Sequence, residues 1–326
     1  MPVINETILA PPFEGGEWIQ QGPVDLKSLH GKAVVLVDFW DYTCVNCIRT
    51  LPYVAGWYRR YAALGLQVVG VHAPEFSFAR DHQNVISAIK QFEIEYPVVL
   101  DNDYSIWRAY SNRFWPAKYL IDTQGRLRYY HFGEGLYQET EAQIQHLLSE
   151  LSPGLDFPPP MTPLRDEDQT GALCYRVTPE LYLGYMRGQF GNPAGVTRDH
   201  ATDYADPGRH VEGAIYLSGR WTVGQESASA AAPGAGVAIR YTAMDVNLVL
   251  APPADKPARL EISIGDDQRA GADVKMEGGR SIVTVDRARM YSLVANESVA
   301  TGSLKLTALD AGVSAYAFTF ISCVVS

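Results

Sequence analysis

The chain has 326 residues, 47% of them hydrophobic and 20% charged, with a formal net charge of −10. That composition buries real cores and excludes a disordered chain, and an excess of acid repels phosphate, which argues against nucleic acid as a partner. Four cysteines are too few for a disulfide framework at this length, and the apolar runs fall far below the ~18 residues of a spanning helix.

The first half alternates strand and helix signals. Val34–Phe39 is a continuous, β-branched apolar run, as in a buried strand. A helix is predicted over Cys47–Leu64, with Ile48, Leu51, Val54, Ala55 and Tyr58 at helical spacing and a kink at Pro52. Gln67–His72 reads as a strand, Asn84–Phe92 as a helix, Tyr96–Leu100 as a strand and Tyr104–Tyr110 as a short helix. Pro116–Ile121 and Arg126–Phe132 read as a hairpin across Asp122–Gly125, and Tyr137–Leu148 as a closing amphipathic helix. The order β-α-β-α-β-α-β-β-α predicts a mixed sheet with helices on both faces.

The texture then changes. Five prolines between Ser152 and Thr170 and the charged cluster Arg165–Asp168 predict a stiff, solvated linker over 153–170. From residue 171 onward short β-rich runs punctuated by Gly, Pro, Asn and Asp predict an all-β sandwich over 171–326. The mixed α/β domain would then span 1–152.

The chemistry concentrates in VDFWDYTCVNC, residues 37–47, where a buried strand gives way to a helix. A helix N-terminus presents free N–H groups and partial positive charge, which favour thiolate over thiol and can lower a cysteine pKa from ~8.5. Cys44, in the first turn, would attack a disulfide, and Cys47, one turn deeper, would resolve it. A zinc half-site lacks its second ligand pair, so no metal is expected. A peroxidase would carry Thr or Ser three residues before the reactive cysteine and Pro seven before, where this chain has Asp41 and Val37.

With these residues in view, VDFW followed by C-x-x-C resembles thioredoxin. The resemblance implies a thioredoxin fold without a cofactor, in which Asp38 takes the proton of the resolving thiol. It also implies a cis bond at Pro116 in FWPAKYLID, leaving the backbone at Trp115 to pair with an incoming substrate strand. The strings FWDYTCVNCIRTLPYVAGWYRRY, GVHAPEF, NRFWPAKYLID and HFGEG are similar to the extracytoplasmic thioredoxin-like domain of DipZ/TlpA-type oxidoreductases. In that family the domain is often fused to a membrane electron-transfer domain and followed by a jelly-roll-like, carbohydrate-binding-module-like sandwich. TPELYLGYMRG (178–188), LSGRW (217–221) and AYAFTF (315–320) resemble that module.

The resemblance therefore implies a protein disulfide or dithiol substrate, a membrane electron donor and an extracytoplasmic setting, with a carbohydrate ligand at 171–326. The start MPVINETILAPPFEGG has no basic and apolar leader pattern, which leaves a cytoplasmic setting open. Val45 and Asn46 replace the Gly-Pro of thioredoxin, leaving the direction of electron flow open, and Thr50 stands where related proteins carry a glutamate. Glu75 is a candidate supporting acid from another direction. Trp40, Tyr42 and Trp115 are candidates for an apolar docking surface around Cys44. Cys174 and Cys323, at the two ends of the β-rich half, read as free thiols, with a structural disulfide as the alternative. Trp221 and Tyr216, the candidate sugar-stacking aromatics, read as core. The competing functions are a thiol peroxidase and a redox-inert binding module.

Overall fold

The computed structural model describes residues 8–169, 172–254, 256–265, 267–321 and 323–324. The chain divides into two compact units, residues 1–168 and 169–326. In the first, six strands form a mixed sheet: β1 (Glu17–Gln20), β2 (Val34–Trp40), β3 (Leu66–His72), β4 (Val98–Leu100), β5 (Ala117–Ile121) and β6 (Leu127–Phe132), ordered β1-β4-β3-β2-β5-β6. The β2–β3 and β3–β4 pairs are parallel, while β5, β6 and β1 run antiparallel to their neighbours. The helices are α1 (Val45–Tyr61), α2 (His82–Gln91), α3 (Ser105–Ala109) and α4 (Tyr137–Leu151).

Strand alternation divides β2 between two cores. Val34, Leu36 and Trp40 pack with Leu51, Val54 and Trp57 of α1, Val85 and Ile89 of α2, and Ile144 and Leu148 of α4. Val35, Val37 and Phe39 face the other way, onto Ile106 of α3 and the N-terminal segment at Phe13 and Leu26. Every residue of β2 is buried. Asp38, in step with Leu36 and Trp40, is thereby committed to the α1 side of the sheet. The fold is thioredoxin-like, with helices on both faces. Two local differences from the sequence reading stand out. Helix α1 begins two residues earlier, at Val45, and continues through Pro52. The edge strand β1 was not anticipated, because EWIQ is too short and polar to show a period; Gln20 secures it by donating from Nε2 to the Ile94 and Tyr96 carbonyls at 2.8 Å each.

The proline-rich stretch is solvated, none of residues 152–168 being buried, but it is not a free linker. It is strapped to the first unit. Arg60 donates to the Pro159 carbonyl, Met161 N to Glu141 at 2.7 Å, and Leu164 N to the Tyr53 hydroxyl at 2.6 Å. Tyr53 donates in turn to Asp168 at 2.7 Å, and Arg49 pairs with Glu167 at 2.8 Å. Proline limits the segment's freedom when unbound, so few bonds suffice to hold it.

The second unit is all-β, with strands β7 (Leu173–Cys174), β8 (Leu181–Tyr182), β9 (Ala201–Tyr204), β10 (Ile215–Val223), β11 (Ala228–Ala230), β12 (Gly236–Ala251), β13 (Ala258–Ile264), β14 (Val274–Glu277), β15 (Arg280–Val285), β16 (Arg289–Ala308), β17 (Ser314–Ile321) and β18 (Cys323–Val324). Ten of them join one antiparallel sheet; β12 and β16, 16 and 20 residues long, pair along most of their length. Gly236–Tyr241 and Val246–Leu250, two β-rich runs, are one strand with register shifts between Ala243 and Asp245 and between Val246 and Asn247. Such bulges bend a strand without ending it. Strands β7 and β18 form a separate pair in which Cys174 and Cys323 stand opposite one another; their side chains lie outside the described residues.

The strap yields a stability prediction. Glu141 is buried and accepts from Tyr61 Oη at 2.5 Å as well as from Met161 N. Glu141→Ala leaves those donors unpaired and should lower stability by about 1–3 kcal/mol, read as a lower urea midpoint at unchanged slope.

Candidate active site

The turn 41–44 carries the chain from β2 into α1. Cys44 is the N-cap of the helix, and its sulfur accepts from Cys47 N at 3.3 Å. Cys44 is half-buried and Cys47 fully buried. Both are free thiols. The spacing therefore delivers one accessible sulfur and one beneath it. A thiol lowered by the helix terminus is not what results. Burial is the largest influence on Cys44 and, with the negative charges of Glu75 and Asp41, outweighs the favourable bonds from Cys47, so the thiol is pushed up. Cys47 is pushed well up, by burial first and then by the Cys44 sulfur and the charge of Asp38.

Asp38 is fully buried on the α1 side of the sheet, and neither carboxylate oxygen has a hydrogen-bond partner among the described residues. Burial lifts its carboxyl to about 7, against the pull of Lys118. Lys118 is the residue that sequence reasoning missed. It stands opposite Asp38 in the β2–β5 register and is itself fully buried, and burial lowers its ammonium to about 8 despite the charge of Asp38. Its Nζ donates to the Gly133 carbonyl at 3.1 Å and lies 5.9 Å from the Tyr137 ring centroid. On the other side Asp38 faces Gly70 of β3, where a Cβ would fall 3.0 Å from Tyr96 Cε2 and 3.1 Å from Trp40 Nε1. Glycine lets those rings close over the carboxylate. A buried acid and a buried base, both shifted toward neutrality by burial, thus lie close to the inner thiol, an arrangement chemically able to exchange a proton with it.

Pro116, preceded by a cis bond, is buried at the start of β5. Trp115 is partly buried, packs into the same core as Cys44, lies with its ring 4.2 Å from that of Trp107 at a tilt of 37°, and donates from Nε1 to the Ala73 carbonyl at 2.9 Å. Trp40 and Tyr42 do not form a docking surface. Trp40 is sealed in the core against His72, with ring centroids 5.1 Å apart, and the buried Tyr42 stacks on the same imidazole at 5.8 Å. Exposed aromatic surface comes instead from Phe114, half exposed beside Trp115, and from Phe132, whose ring lies 5.0 Å away. Glu75 reaches the site twice: its charge acts on Cys44, and its backbone N–H donates to Asp41.

In the second unit Trp221 is buried, with Nε1 donating to the Ser218 and Gly236 carbonyls at 3.0 and 3.1 Å. Tyr216 is buried too, its hydroxyl accepting from Val211 N at 3.0 Å. Neither presents a ring face to a sugar.

A family model described as AhpC/TSA family matches residues 9–130, and one described as thioredoxin-like C-terminal domain matches residues 178–320. Protein DipZ of Mycobacterium bovis is 39% identical over 249 residues, which cover 74% of this chain and 35% of that protein. The chain thus spans about a third of the length of this relative. Thiol-disulfide oxidoreductase ResA of Bacillus cereus is 30% identical over 130 residues, covering 40% of this chain and 69% of that protein. Among solved structures, the solution structure of a thioredoxin-like protein in the oxidized form is 28% identical with a TM-score of 0.41, covering 44% of this chain and 96% of that one.

The proton pair sets a pH test. Asp38→Asn should slow resolution of a Cys44 mixed disulfide on the order of 100-fold at pH 7 and remove the rise in rate with pH centred near 7. Lys118→Met, which withdraws the charge that pulls the Asp38 carboxyl down, should move that rise to higher pH. Stopped-flow rates between pH 5 and 9 report both.

Proposed function

The chain belongs to the thioredoxin-like thiol–disulfide oxidoreductase family, and from that premise we propose that it reduces a protein disulfide in the cell envelope with the Cys44–Cys47 dithiol. What supports the direction is the setting of Cys44 at the end of the turn from β2, where burial first, then the charges of Glu75 and Asp41, disfavour the thiolate. A dithiol whose thiolate is stabilised is a strong oxidant, because its reduced form is favoured; a dithiol without that support gives up electrons more readily.

In the proposed reaction the Cys44 thiol loses its proton to solvent and its sulfur attacks one sulfur of the partner disulfide. A Cys44–partner bond forms and the partner's other sulfur leaves as a thiolate, which takes up a proton. Cys47 gives its proton to the Asp38 carboxylate and attacks the Cys44 sulfur. The mixed disulfide breaks, the second partner sulfur leaves as a thiolate that takes up a proton from solvent, Asp38 gives its proton back to solvent, and the Cys44–Cys47 disulfide remains. Two electrons have passed to the partner. Lys118 offsets the Asp38 charge before the proton arrives and is left to be solvated by the Gly133 carbonyl afterwards.

The partner's chain docks, on this reading, along the Trp115–Pro116 edge, with the Phe114–Phe132 pair as its apolar platform. The envelope setting and a membrane electron donor that re-reduces the disulfide follow from the likeness to DipZ and are part of the proposal. Thiol peroxidase activity is the alternative outcome. It would need a hydroxyl donor where the chain carries the Asp41 carboxylate, which already accepts from Thr43.

The purified chain is expected to reduce insulin with a dithiol donor, and Cys44→Ser to abolish this. Cys47→Ser should accumulate a mixed disulfide at Cys44. The pair's reduction potential should lie nearer the thioredoxin value of about −270 mV than the oxidant value of about −120 mV. A potential near the oxidant end, or rapid peroxide consumption without insulin reduction, overturns the reading.

A further inference from the structure

A second buried acid lies beside the nucleophile. Asp41 opens the turn that carries Cys44 and is fully buried. Its Oδ1 accepts from Thr43 N at 2.7 Å and from Thr43 Oγ1 at 2.9 Å, and its Oδ2 accepts from Glu75 N in the loop after β3. Its carbonyl accepts from Cys44 N at 3.3 Å. One side chain therefore ties the C-x-x-C turn to a loop from a different strand.

Against it, on β3, is His72, fully buried, with Nε2 4.0 Å from Asp41 Oδ1. Neither ring nitrogen has a hydrogen-bond partner among the described residues. An imidazolium there would bury two unpaired N–H donors and a charge between the Trp40 and Tyr42 rings, so the neutral ring is favoured. Burial likewise pushes its titration down, against the opposing pull of Asp41. Glu75 adds a second negative charge, while Lys118 and Asp38 balance each other beneath Cys47.

We propose that Asp41 is a positioning residue that latches the C-x-x-C turn to the loop after β3 and so sets a buried negative charge, faced by a neutral His72, beside Cys44. Asp41 touches no reacting atom with its side chain. It acts through the place and the field it gives Cys44. The proposal deepens the reductant reading and rests on it only for its consequence, a more reducing pair.

The test uses the full chain and two readouts that a purely structural role would not move. Asp41→Asn keeps an acceptor for Thr43 and removes the charge. Alkylation of Cys44 by iodoacetamide, in a Cys47→Ser background, is expected to speed up by about 3- to 10-fold at pH 7 and its midpoint to move to lower pH. The His72 ring signals in NMR should titrate at lower pH than in the parent, since the carboxylate that favoured the imidazolium is gone. An unchanged alkylation profile in a folded Asp41→Asn chain overturns the proposal. Should that variant fail to fold, Asp41→Ser is read in the same way. The unsubstituted chain is a further check: an imidazolium signal from His72 at pH 7 also overturns it. Insulin reduction by the unsubstituted chain is scored separately. Its absence counts against the reductant reading while the alkylation profile still decides the role of Asp41.

Discussion

The structure turns on a carboxylate placed where sheet packing leaves it no water. Asp38 occupies an alternation position that belongs to the α1 core, between Leu36 and Trp40. An isolated charge in such a site costs several kcal/mol, and the ordinary remedies are neutralisation or a partner. Here both are half applied. Burial lifts the carboxyl to about 7, and Lys118 answers from the neighbouring strand without a direct hydrogen bond to it among the described residues. A carboxyl raised in this way favours the fold below its ordinary range and withdraws that support as pH rises through about 7. The same placement that weakens the fold at neutrality is what the proposed role of Asp38, as proton acceptor for Cys47, would use.

The rest of the site is arranged to exploit that. The inner thiol is held above the acid because α1 starts at the end of β2, so strand and helix deliver both groups from one short string. Gly70 keeps the parallel neighbour low enough for Trp40 and Tyr96 to roof the carboxylate, and β5 brings Lys118 in from the opposite side. The outer thiol meets a different environment, in which burial comes first and Glu75 and Asp41 contribute negative charge. On the proposed mechanism the Asp38–Lys118 pair would serve the resolving step and Asp41 the attacking one.

Much of this was legible in the chain. The C-x-x-C at a strand-to-helix junction, Asp38 after four apolar residues, and Pro116 at the mouth of a strand all carry local signals. The alternation of strand and helix through residue 151 reports the first unit's layers. What was not legible depends on register. Lys118 sits in AKYLI, and only pairing with β2 shows that it meets Asp38 rather than solvent. His72 and Asp41 come together by the same parallel pairing that sets Trp40 opposite His72. Trp40 and Tyr42 misled for a related reason: aromatics beside a motif read as a rim, whereas β2 is buried on both faces and its last residues remain inside.

The proline-rich segment misled because composition reports what a stretch does alone. Prolines and charges do predict a stiff, solvated chain, yet stiffness also lowers the entropy lost on docking. Tyr53, on α1 two turns beyond Cys47, places its hydroxyl so that it donates to Asp168 and accepts from Leu164 N. Arg49, one turn closer, pairs with both Glu134 and Glu167. Glu134 belongs to the same turn as Gly133, whose carbonyl holds Lys118. A continuous set of polar contacts therefore runs from the strap through Arg49 to the cation beside Asp38. The segment that closes the first unit is in this way part of what fixes the electrostatics of its dithiol.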